Sequence, residues 1–384
     1  MPTTSVPAFN PISPDNSPDT GIFMAEQSDG MNYAPKGKPQ PVVKPGEFVF
    51  AATNLDHGHI VGMCNGLTEA GGQLRWIYDD DPEKVEKLLK NYPEAQAAES
   101  LDQILEDNGV HMVAAAAIPN LRGPLGCKVM DAGKDYFTDK TPFTSMSQLE
   151  EARAKVEETG RKYMVYYSER LHVECAMFAG QLVEQGAVGR VIQVIGFGPH
   201  RLGPPAGRPD WFYKKEQYGG ILCDIGSHQC EQFLHYTGAK DANVTNARVE
   251  NFAHADYPEL EDFGEASLIA DNGASFYYRV DWFTPSGLRT WGDGRTIILG
   301  TEGYMELRKY VDLTTEEGGD QLLLANAEGE RRFSLSGQVG YEYFGKLIKD
   351  VLNRTEHAMT QDHAFKAAEL CLKCQELADE NRVG

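Results

Sequence analysis

"FVFAATNLDHGHIVGM", residues 48–63, is an apolar run, 48–53, leading into a segment with helical spacing over 57–67. A buried strand running into a helix is how a doubly wound α/β domain begins, and a dinucleotide-binding domain normally carries G-x-G-x-x-G at that turn. Here Thr53, Leu55 and Gly58 stand at the three glycine positions. The first glycine allows a tight turn and the second lets backbone approach a pyrophosphate; only the third, which packs helix on strand, is kept. Asp56 is expected either to cap the helix and fill the anion site itself, or to turn aside to a ribose or a backbone amide. His57 or His59 is expected to donate to phosphate in place of the lost backbone contacts. "DHGH" is a weak metal signal, since nothing nearby in the sequence completes a ligand set, and no metal is expected.

Beyond this stretch, strands and helices alternate. Leu74–Tyr78 reads as a strand, and Asp81-Pro82 opens a helix as N-cap and first residue. Ser100 caps another helix, and "HMVAAAAIP" is an apolar third strand. Helix 121–132, strand 135–138, helix 147–160 and strand 162–167 follow. Strands apolar on both faces imply a parallel sheet covered on both sides. After about residue 167 the texture changes. One helix is followed by the runs "RVIQVIGFG", "NVTNARVENFA", "GEASLIAD", "ASFYYRVDWF", "RTIILG" and "YMELRKY", with a hairpin turn at Asp271-Asn272-Gly273. These predict a large, mostly antiparallel sheet, closed by helices at 341–353 and 361–380. The expected organisation is a Pro-rich arm (1–45), a dinucleotide-binding domain (46–167), a sheet domain for substrate and oligomerisation (168–340) and closing helices (341–384).

The 384 residues are 41% apolar and 24% charged, with a net charge of −21. So acidic a surface, without a basic patch, disfavours nucleic acid and anionic lipid. No run approaches the roughly 20 apolar residues of a membrane span, and no signal peptide is apparent. Seven irregularly spaced cysteines suit reduced thiols in a cytoplasm. Cys371 and Cys374, a CxxC, lie in a helical stretch with no second pair, and read as two half-buried thiols.

Ligands of a doubly wound domain bind beyond the carboxyl ends of its strands. Those positions hold Thr53-Asn54-Leu55-Asp56-His57-Gly58, then Asp79, then Pro119-Asn120, then Asp139-Lys140. Asp79 lies 21 residues past Gly58, where a carboxylate would bind ribose hydroxyls and repel a 2′-phosphate, favouring NAD over NADP. Further on, "GGILCDIGSHQCEQF", residues 219–233, places Asp224 and His228 four apart, on one face if a helix begins there. With Lys140 they make a proton-transfer unit: His228 as acid/base, Asp224 orienting it, Lys140 polarising. The long segment before it, carrying His200, Arg201, Arg208, Trp211 and Tyr213, reads as a binding loop. Tyr167, Glu169 and Arg170 enter at the domain junction. Trp282 and Trp291 belong either to the sheet or to a subunit contact.

These motifs resemble the Gfo/Idh/MocA family of NAD(P)-dependent oxidoreductases over about residues 47–380. The family's G-G-x-x-x-D-x-G-x-H matches Gly219, Gly220, Asp224, Gly226 and His228; its E-K-P matches Asp139-Lys140-Thr141, with Pro142 one residue late. Its T-P-N matches Ile118-Pro119-Asn120 and its G-T-x-G matches Gly300–Gly303. The resemblance implies a Rossmann domain plus an open-faced sheet domain. It also implies hydride transfer between NAD and a carbohydrate, glycoside or polyol, with Lys140, Asp224 and His228 around the reacting hydroxyl. Tyr167, Arg170, His200, Arg201 and Trp211 are the expected substrate residues. A homodimer or homotetramer through the second sheet is implied, the arm contacting a neighbouring subunit or the cofactor. Two other functions fit the same residues: a redox-neutral enzyme that retains NAD and works by transient oxidation, and a non-catalytic ligand sensor. Retention of NAD through purification separates the first; an intact Lys140, Asp224 and His228 speaks against the second.

Overall fold

The computed structural model describes residues 40–203, 207–315 and 318–382. Most of the expected N-terminal arm therefore lies outside the described residues. The first layer alternates β1 (Val49–Thr53), α1 (His59–Glu69), β2 (Gln73–Tyr78), α2 (Pro82–Asn91), β3 (Gln96–Ala97), α3 (Leu101–Glu106), β4 (Met112–Ala115), α4 (Pro119–Asp131), β5 (Asp135–Asp139), α5 (Met146–Thr159) and β6 (Tyr163–Tyr166). The sheet order is β3-β2-β1-β4-β5-β6 and every pairing is parallel. Every residue of β1, β4, β5 and β6 is buried, as continuous apolar strands covered on both faces require. Local signals set the helices: Asp81 accepts from Glu83 N at 2.9 Å with Pro82 following, and Ser100 accepts from Gln103 N at 3.1 Å.

The chain then passes through α6 (Ser168–Leu171) and α7 (Glu174–Glu184) into β7 (Val191–Pro199), followed by three short or medium helices: α8 (Lys215–Tyr218), α9 (Ile221–Asp224) and α10 (Gly226–Thr237). Strands β8 (Ala242–Glu250), β9 (Phe263–Ala270), β10 (Ser275–Asp281), β11 (Arg295–Gly300), β12 (Gly303–Arg308), β13 (Gln321–Asn326) and β14 (Gly329–Ser334) complete a sheet ordered β14-β13-β12-β11-β7-β10-β9-β8. It is antiparallel except where β7 and β10 run parallel. Helix α10 and the C-terminal α12 (Gln361–Glu380) cover one face, where Phe233 stacks on Phe276 at 4.5 Å. On this sheet Ile269, Leu299 and Tyr304 are exposed apolar residues. Helix α11 (Glu342–Asn353) packs against α1, with the Phe344 ring filling the space that a side chain at Gly66 would need.

Two elements differ from the sequence reading. The edge hairpin β13–β14 was not anticipated, because "GERRFS" has almost no apolar alternation; β14 is an edge strand exposed along most of its length. Helix α1 begins at His59 with Gly58 as N-cap, not at His57. Cys371 and Cys374 are fully buried on α12. Among the described residues no helix is long and apolar enough to cross a membrane.

Candidate functional site

The carboxyl ends of β1, β5 and β6 meet the α9–α10 junction and the end of β7 in one cleft. His57, His59, Lys140, Glu169, His200, Arg201, Arg208, Phe212, Asp224, His228, Trp282, Trp291 and Tyr310 line it. Its centre is an ion pair, Lys140 Nζ to Asp224 Oδ1 at 2.6 Å. Burial would raise the Asp224 carboxyl, but the Lys140 ammonium holds it below its ordinary value. Asp224 ends α9 and His228 lies in the first turn of α10; the two helices meet at Ile225, whose backbone is helical. Thus the four-residue spacing brings both side chains to the cleft, yet the carboxylate bonds Lys140 rather than His228. The expected role of Asp224 as orienter of the imidazole is therefore corrected: it orients the lysine. Burial lowers His228 to about 3, so its ring is neutral, and its Nδ1 has no hydrogen-bond partner among the described residues.

Lys140 is fixed from behind. Asp139, fully buried, accepts from four groups: His59 Nδ1 (2.9 Å) and Lys140 N (2.7 Å) at Oδ1, His57 Nδ1 (2.8 Å) and Arg122 Nη2 (3.2 Å) at Oδ2. Burial alone would raise this carboxyl, but His59, Arg122 and His57 hold it well below the usual range. An ionised carboxylate only accepts, so both imidazoles present an N–H at Nδ1. Burial and the neighbouring His59 lower His57 to about 3. Arg122 also donates to the carbonyls of Ala117 (2.7 Å), Thr141 (3.1 Å) and Lys140. The Lys140–Thr141 peptide is cis.

His57, His59 and Asp139 bring three possible metal-ligand atoms within 4.8 Å of one another, so the structure supplies the third ligand that the sequence neighbourhood lacked. Spacings of 2.8 and 2.9 Å are those of hydrogen bonds, and a divalent cation would add charge beside Arg122 and Lys140. We read the trio as hydrogen-bonded. The histidines are accordingly turned to Asp139, not offered as the anticipated phosphate donors.

The loop after β1 is rebuilt in a way that accommodates the missing glycines. Asn54 takes a left-handed backbone (φ 49°), the conformation that Asn tolerates best after Gly. The Leu55 side chain is buried inward with the core, and its amide donates to Asp79 Oδ2 at 2.6 Å. Thr53 is buried and bonds Asn54 Oδ1 at 3.1 Å. Asp56 does not cap α1; it pairs with Lys84 at 2.6 Å, which lies 3.6 Å from Asp79. The amides of Asp56 and Gly58 carry no hydrogen bond to another described residue. Across the sheet, Pro119 opens α4 and Asn120 Oδ1 is buried without a partner. Free amides at a helix N-terminus, a carboxylate at the end of β2 and an orphaned amide oxygen fit a dinucleotide laid across the carboxyl ends of this sheet.

The expected substrate residues divide. His200 and Arg201 line the cleft; Arg201 Nη2 is spent on the carbonyls of Pro285 (3.1 Å), Leu288 (2.5 Å) and Thr290 (2.8 Å). Three others do not line it. Tyr167 donates to Ala364 O at 3.0 Å, Arg170 is buried in an ion pair with Glu231, and Trp211 is packed beside Phe212, which takes the cleft position. Between Tyr167 and Arg170, Ser168 and Glu169 are the residues that line the cleft. Lys309 Nζ (3.1 Å) and Gln229 Nε2 (2.9 Å) both bond the Glu169 Oε2, while Oε1 has no hydrogen-bond partner among the described residues. Leaving such an atom dry costs about 1–3 kcal/mol. Trp282 and Trp291 belong here too, their rings 5.6 and 4.5 Å from that of His200. Arg122 and Lys309 were not singled out from sequence. Arg122, three residues past Pro119 at a helix start beyond a strand, carried a usable signal; Lys309, at the end of β12, carried none.

Two family models match the chain: "Oxidoreductase family, NAD-binding Rossmann fold" over residues 55–167, and "GFO/IDH/MocA C-terminal domain" over residues 177–306. The crystal structure of a protein from Erwinia carotovora atroseptica SCRI1043 superposes with a TM-score of 0.83 and 48% identity, covering 86% of this chain and 99% of that one. In sequence, the chain is 26% identical to the scyllo-inositol 2-dehydrogenase (NAD(+)) of Bacillus subtilis (strain 168), over 61% of this chain and 65% of the relative. It is 28% identical to the D-xylose dehydrogenase of Paenarthrobacter nicotinovorans, over 38% of each. The chain thus spans less than two thirds of the length of either curated relative.

Proposed function

The chain belongs to the GFO/IDH/MocA family of oxidoreductases, and on that premise we propose that it oxidises, or in reverse restores, a secondary hydroxyl of a sugar, glycoside or polyol, with Lys140, Asp224 and His228 at the reacting carbon. The observation that carries the reading is the 2.6 Å Lys140–Asp224 pair, set with the neutral His228 where the strand ends face the second sheet. Relatives that act on an inositol and on xylose support the substrate class. NAD is the proposed cofactor, held by the Asp56 and Gly58 amides, Asn120 and Asp79; a carboxylate at the end of β2 disfavours a 2′-phosphate. The bound nicotinamide supplies the hydride acceptor.

The chain's own groups manage the proton and the charge. Asp224 holds the Lys140 ammonium against the cleft as a positioned hydrogen-bond donor to the substrate oxygen, which orients the reacting group and, in the reducing direction, polarises the carbonyl. His228 accepts the hydroxyl proton at a ring nitrogen. Its affinity for protons is low, but the hydroxyl becomes strongly acidic as its carbon takes on carbonyl character, so a weak base suffices late in the step. In the reverse direction the same nitrogen returns the proton. The domain boundaries at 46–167, 168–340 and 341–384 and pairing of chains through the exposed face of the larger sheet complete the proposal.

The test is a panel of inositols, pentoses and hexoses with NAD and NADP, read by near-ultraviolet absorbance of reduced cofactor. Turnover with NAD is expected for at least one compound. Lys140→Met is expected to lower it by about 10²–10⁴-fold while cofactor binding, read by fluorescence, persists. Unchanged turnover in Lys140→Met would remove the lysine from the chemistry.

A further inference from the structure

Glu169 is 2% exposed and Lys309 is 1% exposed, so their ion pair is buried, and the carboxylate charge is matched before any ligand arrives. Both of its donors use Oε2; Oε1 is buried and accepts no hydrogen bond from the described residues. His200 Nε2 lies 3.8 Å from Oε1. His200 Nδ1 faces the carbonyl of Gly198 at 3.0 Å, which fixes that nitrogen as the N–H and leaves a lone pair at Nε2. Burial lowers His200 to about 4, keeping the ring neutral. Two acceptors therefore stand side by side with no donor between them, in the same cleft as Lys140 and His228.

We propose that Glu169 Oε1 and His200 Nε2 form a paired acceptor subsite that takes two adjacent hydroxyls of a neutral substrate, next to the reacting carbon. The 3.8 Å separation is one that the two oxygens of a vicinal diol can span, each donating one hydrogen bond of ordinary length. The charge balance selects the ligand. Asp224 is matched by Lys140 and Glu169 by Lys309, so the subsite offers no net negative charge to recruit an ammonium. A carboxylate or phosphate seated on the pair itself would face two acceptors. Trp282 and Trp291, packed around His200, line the same cleft beside the pair. The identity of the reacting carbon rests on the dehydrogenase reading above; the acceptor pair does not.

The experiment removes hydroxyls from the ligand and the acceptor from the protein. A neutral sugar or polyol from the panel is compared with its monodeoxy derivatives, and with a uronic acid, by calorimetric Kd in the presence of NAD and, where reduced cofactor forms, by KM and kcat. In the wild-type protein one pair of neighbouring hydroxyls is expected to matter, each deletion weakening binding about ten- to hundredfold. Glu169→Gln alone strands the Lys309 charge, so the protein variant is Glu169→Gln with Lys309→Met, which removes the ion pair as a unit. Its penalty is expected on the parent compound, in KM more than in kcat, and to vanish on the derivative lacking the hydroxyl that Glu169 holds. Equal penalties on parent and deoxy compounds, wild-type indifference to every deletion, tighter binding of the uronic acid, or no binding of any neutral polyol would each overturn the proposal. Binding without reduced cofactor would overturn the dehydrogenase reading instead, and the Kd series would still decide the subsite.

Discussion

Asp139, behind the cleft, and Glu169, on its wall, are two buried carboxylates, each set against a buried cation. They differ in how much of their hydrogen-bonding capacity the protein itself uses. Asp139 accepts from four donors, two on each oxygen. Glu169 accepts from two on one oxygen and leaves the other bare. The saturated carboxylate has nothing left for a ligand and serves to hold Lys140, His57, His59 and Arg122 in place. The half-used one is held by the fold and keeps an acceptor for something that the fold does not contain. Counting donors per oxygen separates positioning from recognition where burial and charge do not.

The largest effect should come from breaking the saturated centre. Asp139→Asn leaves Arg122, 1% exposed, without its buried counter-charge, and a loss of about 3–5 kcal/mol in denaturant unfolding is expected. The Glu169→Gln, Lys309→Met pair should stay within about 2 kcal/mol of the wild type, since both charges leave together. Similar losses in the two proteins would erase the distinction.

A smaller effect concerns the histidines around both carboxylates. His57 and His228 are lowered to about 3 and His200 to about 4, mainly by burial. In the unfolded chain an imidazole takes up its proton near pH 6.5, so on acidification the unfolded state binds protons first. The stability tied to keeping these rings neutral is complete above that pH and is lost as pH falls from about 6.5, to about 4 for His200 and about 3 for His57 and His228, at up to about 1.4 kcal/mol per histidine per pH unit. Asp139 and Glu169, held below the ordinary carboxyl range, add their own loss as pH falls through their unfolded values of 3.8 and 4.5. Thermal unfolding followed from pH 7 to 4 should therefore fall steeply before the carboxylates titrate; a flat profile over that range would show that the histidines are not buried neutral.

Much of this arrangement could be read from the chain. The parallel strands announced themselves as continuous apolar runs, and Lys140, Asp224 and His228 by their places after strands and in a spaced motif. What escaped has a physical reason in each case. Strand β14 is a polar edge with no buried face to impose alternation. Asn54 could take the left-handed turn only because it is one of the few side chains that tolerate it, which no spacing rule reveals. Glu169 sits between Tyr167 and Arg170, and which residues of the run 167–170 line a cleft depends on where α6 begins. Its partner Lys309 comes from a strand 140 residues away, a proximity created entirely by tertiary packing.

The claim on which the rest depends is that hydride leaves a substrate carbon beside Lys140 and His228. Incubation with NAD and a panel compound deuterated at the carbons bearing hydroxyls, followed by mass analysis of the reduced cofactor, tests it directly. The account predicts a single deuterium carried into the cofactor by the wild-type protein and its near-complete loss in Lys140→Met. Reduced cofactor without deuterium, or equal transfer by the variant, would contradict it.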